Sequence, residues 1–326
     1  MTTIITRKTL LIFCIPIAAI IIIIVIMNSI FQTESIYMGG NLCSSRHTLM
    51  QDSLHANQTI STTDSPQDYS LRYQRPSSEL PLVNEYTYQT FVEKTNYNFS
   101  NPKDLICAYF GVLREASHME GYEGGCGSIG DGLLPYPIAY NMLSSNTQVN
   151  ISQKQFTTSF RGTGHISLLK LYPLPESDIF FIEIEVITGP ESTTNPQKSQ
   201  LSYFAYYYGF VSVVQEGSVW RIDKIDYYPE EFLCAPYHSW FYDSTAVIEI
   251  VYGDNLGLVD RITDTIWDDG ILQIYADGKN GQRYRFDFVR LTNGHDILIG
   301  EYIKKDDNQW ISVPPELFDQ KTISSK

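Results

Sequence analysis

The chain has 326 residues, 43% of them hydrophobic, and a formal net charge of −14. That length supports one large domain or two small ones. The acidic balance argues against nucleic-acid binding, which needs clustered Lys and Arg to displace phosphate counterions. It argues equally against unaided docking on anionic lipid or wall polymer.

Residues 9–31 (TLLIFCIPIAAIIIIIVIMNSIF) carry no charge. At about 1.5 Å per helical residue they are long enough to cross a hydrocarbon core of roughly 30 Å. Arg7 and Lys8 precede them, so residues 1–8 are expected in the cytoplasm and the C-terminal bulk outside the cell membrane, on a single-pass signal-anchor. A cleaved signal peptide is the alternative, but the apolar run exceeds a usual h-region and no clear small-x-small site follows. Residues 32–83 are polar, aperiodic and punctuated by Pro66, Pro76 and Pro81, which predicts a disordered stalk.

Residues 84–234 are expected to fold as an α+β domain. A helix begins at Pro102, capped by Ser100 or Asn101, with Leu105, Ile106, Tyr109, Phe110 and Leu113 at helical spacing. The Gly-rich loop GYEGGCGSIGDG follows; it lacks the Lys-Ser/Thr of a phosphate-binding loop and reads as a turn. A second short helix is expected over residues 137–145. Strands then take over, the clearest at His165–Tyr172. DIFFIEIEVIT alternates, with Phe180, Ile182, Ile184 and Val186 on one face and Glu183 and Glu185 on the other, a face expected to be solvated.

The longest apolar strand is YFAYYYGFVSVV, from Tyr203 to Val214, apolar or aromatic on both faces and therefore expected at the centre of a sheet covered on both sides. Glu216-Gly217-Ser218 supplies a tight turn. On the return strand, Trp220 and Ile222 are followed by Ile225, a three-residue step that predicts a bulge near Asp223-Lys224. A long bulged hairpin implies a strongly curved sheet.

Two helices followed by strands that close on a long hairpin ending Trp220-x-Ile222-x-x-Ile225 resemble the NTF2-like cone fold over residues 101–234. Members of that family include dehydratases and isomerases together with many non-catalytic binding, dimerising or membrane-anchored domains. The segments FRGTGHISLLKLYPL and EEFLCAPYHSWFYD also look like parts of membrane-anchored Gram-positive surface proteins, a resemblance that implies no activity. Residues 235–326 are expected to form a small β-rich C-terminal domain of about five strands, beginning with AVIEIVY at 246–252 and including hairpins at Asp268-Asp269-Gly270 and Asp277–Gly281.

The function this supports is a membrane-tethered extracytoplasmic binding or interaction module, partnered by a second copy or a surface protein. Its ligand would meet an aromatic-lined cone or an exposed sheet face, with Tyr206, Tyr208, Phe210, Trp220 and His165 as pocket candidates; any of the aromatics could equally be filled core. The alternative is a hydrolase or lyase using the cone, with His165 and a carboxylate such as Asp178. No catalytic, cofactor or metal signature is present. The acidic turns at Asp260, Asp264, Asp268 and Asp269 suit Ca²⁺ chemically but lack an EF-hand pattern. Cys234-Ala-Pro-Tyr-His238 lacks a matching second half for a metal site. Cys107 is expected buried and inert. Cys126 and Cys234 are the best disulfide pair, set against free buried thiols.

Overall fold

The computed structural model describes residues 36–41, 86–92, 98–119, 132–188, 203–230, 240–306 and 308–313. The apolar segment 9–31, Cys126 and Cys234 lie outside them. Among the described residues no helix is long and apolar enough to cross a membrane. The architecture is α+β: two largely antiparallel sheets with a few short helices.

The longest helix among the described residues, α2 (Pro102–Leu113), follows α1 (Tyr88–Val92). Asn101 caps it, its Oδ1 accepting from the Lys103 N–H at 2.9 Å, and Pro102 takes the first turn where a missing N–H costs nothing. Every residue from Leu105 to Leu113 is buried, so this helix is enclosed rather than amphipathic. Three short helices follow, α3 (Tyr136–Tyr140), α4 (Ser145–Asn150) and α5 (Gln153–Ser159). Ser152 caps α5 in a reciprocal box with Gln155.

The first sheet has the order β1-β2-β6-β5-β4-β3, from β1 (Ile36–Tyr37), β2 (Gly40–Asn41), β3 (Thr163–Pro173), β4 (Ile179–Thr188), β5 (Tyr203–Glu216) and β6 (Val219–Pro229). The β5–β6 hairpin is central, as its two apolar faces predict. Gly217 at φ +65° makes its turn. Gly209 is required where the strands press together, since a Cβ there would stand 1.9 Å from the Asp226 carbonyl oxygen.

The bulge falls at Asp223, which is skipped between the pairs Ser212↔Lys224 and Val213↔Ile222. It is also a docking point. Ser144 Oγ donates to Asp223 Oδ1 at 2.6 Å, Thr147 donates to the Asp223 carbonyl, and the Ser144 N–H donates to the Ile222 carbonyl at 2.7 Å. The kink that turns the sheet therefore also fixes the start of α4.

One segment departs from the stalk reading. Residues 36–41 form a β-hairpin whose β2 adds to β6 in parallel through Asn41↔Asp226. Met38 and Gly39 make its turn at φ 45° and 73°, and Met38 sits wholly buried in the core. The cost of a left-handed conformation at a residue with a Cβ is offset by burying that side chain. Tyr37 Oη bonds Tyr207 Oη at 2.7 Å, and the Met38 N–H donates to Ser159 O at 3.1 Å. Local composition could not reveal this, because the partners lie more than a hundred residues away.

The second sheet has the order β11-β10-β9-β8-β7: β7 (Val259–Asp268), β8 (Ile271–Gly278), β9 (Arg283–Arg290), β10 (Asp296–Lys304) and β11 (Trp310–Ser312). The turns at Asp269-Gly270 and Asp277–Gly281 stand where expected. The expected strand over 246–252 is instead helical, wound in π geometry over Val247–Asn255 directly after a short helical turn, Ser244–Ala246, that Asp243 caps. The β-branched residues read as a strand locally, but Ile248 and Tyr252, four apart, both pack on the apolar face of this sheet. The fifth strand is VDRITDTIWD, which local composition marked as acidic turn.

Asp223→Ala is expected to remove a charged acceptor from the buried Ser144 hydroxyl and to lower the urea midpoint by the equivalent of about 1.5–3 kcal/mol, whereas Asp223→Asn keeps most of that stability.

Candidate functional site

The two faces of the first sheet meet different partners. Ile182, Ile184, Val186, Val211, Val213, Ile222, Ile225 and Tyr227 face the helices in one apolar core. Side chains occupy the hollow there: Tyr136 packs on Phe160 with ring centres 4.7 Å apart, and Phe156 meets Phe160 edge-on at 5.0 Å. The hydroxyls of Tyr109, Tyr136 and Tyr227 are buried in this core with no hydrogen-bond partner among the described residues. Burial raises all three phenols above their usual range, and the neighbouring Tyr227 and Tyr136 push Tyr109 further.

The pocket candidates do not gather in this hollow. Trp220 is half-buried at the edge of the helix-side core. Tyr206, Tyr208 and Phe210 belong to the opposite face. Tyr206 Oη donates to Glu185 Oε2 at 2.5 Å. Tyr208 stacks on Tyr228 at 5.3 Å, and Phe210 meets Phe181 edge-on at 5.9 Å. With Tyr172 and Phe181, Tyr208 and Phe210 pack beneath Val289, Ile297 and Ile299 of the second sheet and Leu291 at its β9–β10 turn. His165 contacts Ser167 Oγ at 3.0 Å; burial lowers its pKa, and the Arg114 charge adds to that. Asp178, its sequence-based carboxylate candidate, lies at the opposite end of the β3–β4 hairpin. Cys107 is a free, buried thiol whose pKa burial pushes up to about 11, which suppresses the reactive thiolate.

The concentrated chemistry is at the junction of the sheets, where sequence reasoning expected a solvated glutamate face. Glu183 is instead fully buried and pairs with buried Lys170, Oε2 to Nζ 2.5 Å. Lys170 Nζ also donates to the Arg290 carbonyl at 2.6 Å. The β9–β10 turn inserts here. The Thr292 N–H donates to Glu183 Oε1 at 2.7 Å, and the Asn293 N–H to Glu230 Oε2 at 3.1 Å. Burial holds the Glu230 carboxyl well above the usual range, reinforced by the charge of Glu183 and a hydrogen bond with it; the Asn293 N–H and Lys170 act the other way. Lys170 pairs directly with Glu183 and acts on Glu230 only through its charge.

A second layer holds the turn. Arg290 makes a bidentate pair with Asp296, at 2.7 and 2.8 Å, and Ser244 Oγ donates to Asp296 Oδ2 at 2.7 Å. The His295 ring stacks on Tyr242 with centres 3.9 Å apart. These groups are spent on one another. A visible signal was the Glu183-x-Glu185 spacing; what hid the site is that its Lys, its second Glu and its backbone donors come from three other, separate stretches of chain. Among the described residues no three His, Cys, Asp or Glu side chains group in a way that could hold a metal ion.

The second sheet leaves part of its junction-side face uncovered. There Arg285 lies 3.9 Å over the Tyr302 ring and 5.7 Å from that of Trp310, while Tyr275 packs on Trp310 at 5.6 Å. Asp287 anchors the guanidinium at 2.9 Å. Tyr275, Tyr302 and Trp310 remain partly exposed.

No family model matches the chain, and no curated protein does. Among solved structures it is similar to an NTF2-like protein involved in plasmid conjugation, at 9% identity over 50% of this chain and 90% of that one. The TM-score is 0.17, a likeness too low to support an argument about fold or function.

Glu230 sets a pH dependence. Its folded state holds the proton more tightly than the unfolded chain, so its stabilisation is complete below the ordinary carboxyl value of 4.5 and is lost as pH rises toward the raised one. Urea midpoints are expected to fall over that range. Glu230→Gln is expected to flatten the decline, leaving the part due to Glu301, which burial pushes up to about 7. Lys170→Met strands the Glu183 charge and is expected to cost about 3–5 kcal/mol by the same measurement.

Proposed function

We propose that this chain is a membrane-tethered, extracytoplasmic, non-catalytic binding module. In this reading an NTF2-like layer carries a second sheet that presents the binding face. The helices packed on a meander of four antiparallel strands support the NTF2-like part. The charge-free segment 9–31 behind Arg7 and Lys8 supports single-pass anchoring with the bulk of the chain outside.

The observation that carries the reading is the division of labour between surfaces. The helix side of the first sheet is occupied by its own core, and the opposite side by the second sheet and the charge network. Among the described residues, Gln273, Tyr275, Arg285, Tyr302 and Trp310 form one group of partly exposed aromatic and polar side chains on a rigid element. Rigid aromatics flanking an anchored arginine suit recognition of a protein partner, because they contribute contact area at little entropic cost.

A photo-crosslinking residue at Gln273 in the full-length protein on cells tests this. A discrete adduct is expected at Gln273 and not at the exposed Val149 on the helix side. An adduct of twice the chain mass identifies a second copy as the partner, and any other mass a surface protein. Equal or absent adducts at the two positions would overturn the assignment of the face.

A further inference from the structure

The hairpin at residues 36–41 starts five residues after the apolar segment 9–31 ends. It is no loose tether. Met38 is wholly buried, the Met38 N–H and the Gly39 N–H are bound by Ser159 of α5, and β2 is part of the first sheet. In sequence, only Gln32–Ser35 stand between the apolar segment and this hairpin.

Five chain steps reach at most about 17 Å fully extended. The interfacial layer of one leaflet takes up roughly 5–7 Å of that. A compact chain of this size has a radius of gyration of about 19 Å. The linker is thus shorter than the body it holds, so the surface around β1–β2 has to meet the bilayer.

That surface has the matching charge. Residues 152–161 (SQKQFTTSFR), which contain α5, carry Lys154 and Arg161 and no carboxylate, in a chain of net charge −14. Lys154, Arg161, Gln153, Gln155 and Thr158 are all exposed. Near an anionic leaflet an exposed cation such as Lys154 contributes about 1 kcal/mol, while the acidic remainder of the molecule is repelled.

We infer that the β1–β2 hairpin and the exposed side of α5 form a membrane-apposed face that rests on the phospholipid headgroup layer, orienting the second sheet outward. The inference rests on the reading of 9–31 as a membrane anchor, and the test separates the two. Full-length protein is reconstituted into vesicles of phosphatidylcholine and phosphatidylglycerol, floated on a gradient and treated with a membrane-impermeant amine-acylating reagent. Mass spectrometry then reads modification of Lys154 relative to Lys305, which is exposed at the far end of β10. The comparison protein carries a Gly/Ser insert of about 30 residues, roughly 30 Å end to end, between Thr33 and Glu34.

Both proteins are expected to float, with Lys154 severalfold less modified in the natural chain than in the lengthened one. Floating with equal Lys154 modification in both would overturn the apposed face while leaving the anchor intact. Failure to float would overturn the anchor and the face with it.

Discussion

A lysine and a glutamate, both almost wholly removed from water, hold the two sheets in register. Desolvating such a pair costs several kcal/mol per ion, and their attraction recovers it only when the remaining polar atoms are also satisfied. Here they are satisfied from across the junction: Lys170 reaches the Arg290 carbonyl, and Glu183 receives the Thr292 N–H. A slip of one residue in β4 would carry Glu183 to the helix side and leave Lys170 buried without its partner. The pair thus contributes specificity of docking, while the aromatic and aliphatic residues around it contribute the apolar area.

This constraint explains the composition of β5. A strand apolar on one face would have sufficed for a sheet with one solvated side. Tyr207, Val211 and Val213 serve the helix side, and Tyr208 and Phe210 serve the second sheet. The tyrosines bring hydroxyls into both cores, and the fold treats them differently. Tyr206 finds Glu185, and Tyr37 finds Tyr207. The phenols of Tyr109, Tyr136 and Tyr227 sit in the helix-side core with no hydrogen-bond partner among the described residues.

Much of the first layer was legible because its signals are local. The period of two in DIFFIEIEVIT, the turn at Gly217 and the three-residue step from Ile222 to Ile225 each concern neighbours within one hairpin. The bulge appeared at Asp223 for that reason. The cap at Asn101 is equally local. The Ile248–Tyr252 helix was misread because β-branched residues favour strands only when no better surface is offered, and the second sheet offered one. The pocket candidates were chosen by residue type, which cannot say which face of a two-sided strand meets which layer.

By itself the sequence determined where β3 to β6 and the main helix lie, the turn and bulge of the central hairpin, and an apolar segment of membrane-spanning length. These follow from periodicity, capping and hydropathy, which act over a few residues. Only the tertiary structure decided that Glu183 is buried with Lys170, that Tyr208 and Phe210 face a second sheet, and that Met38 is core. Those facts depend on contacts across many tens of residues, and a side chain's chemistry does not reveal what will be folded over it.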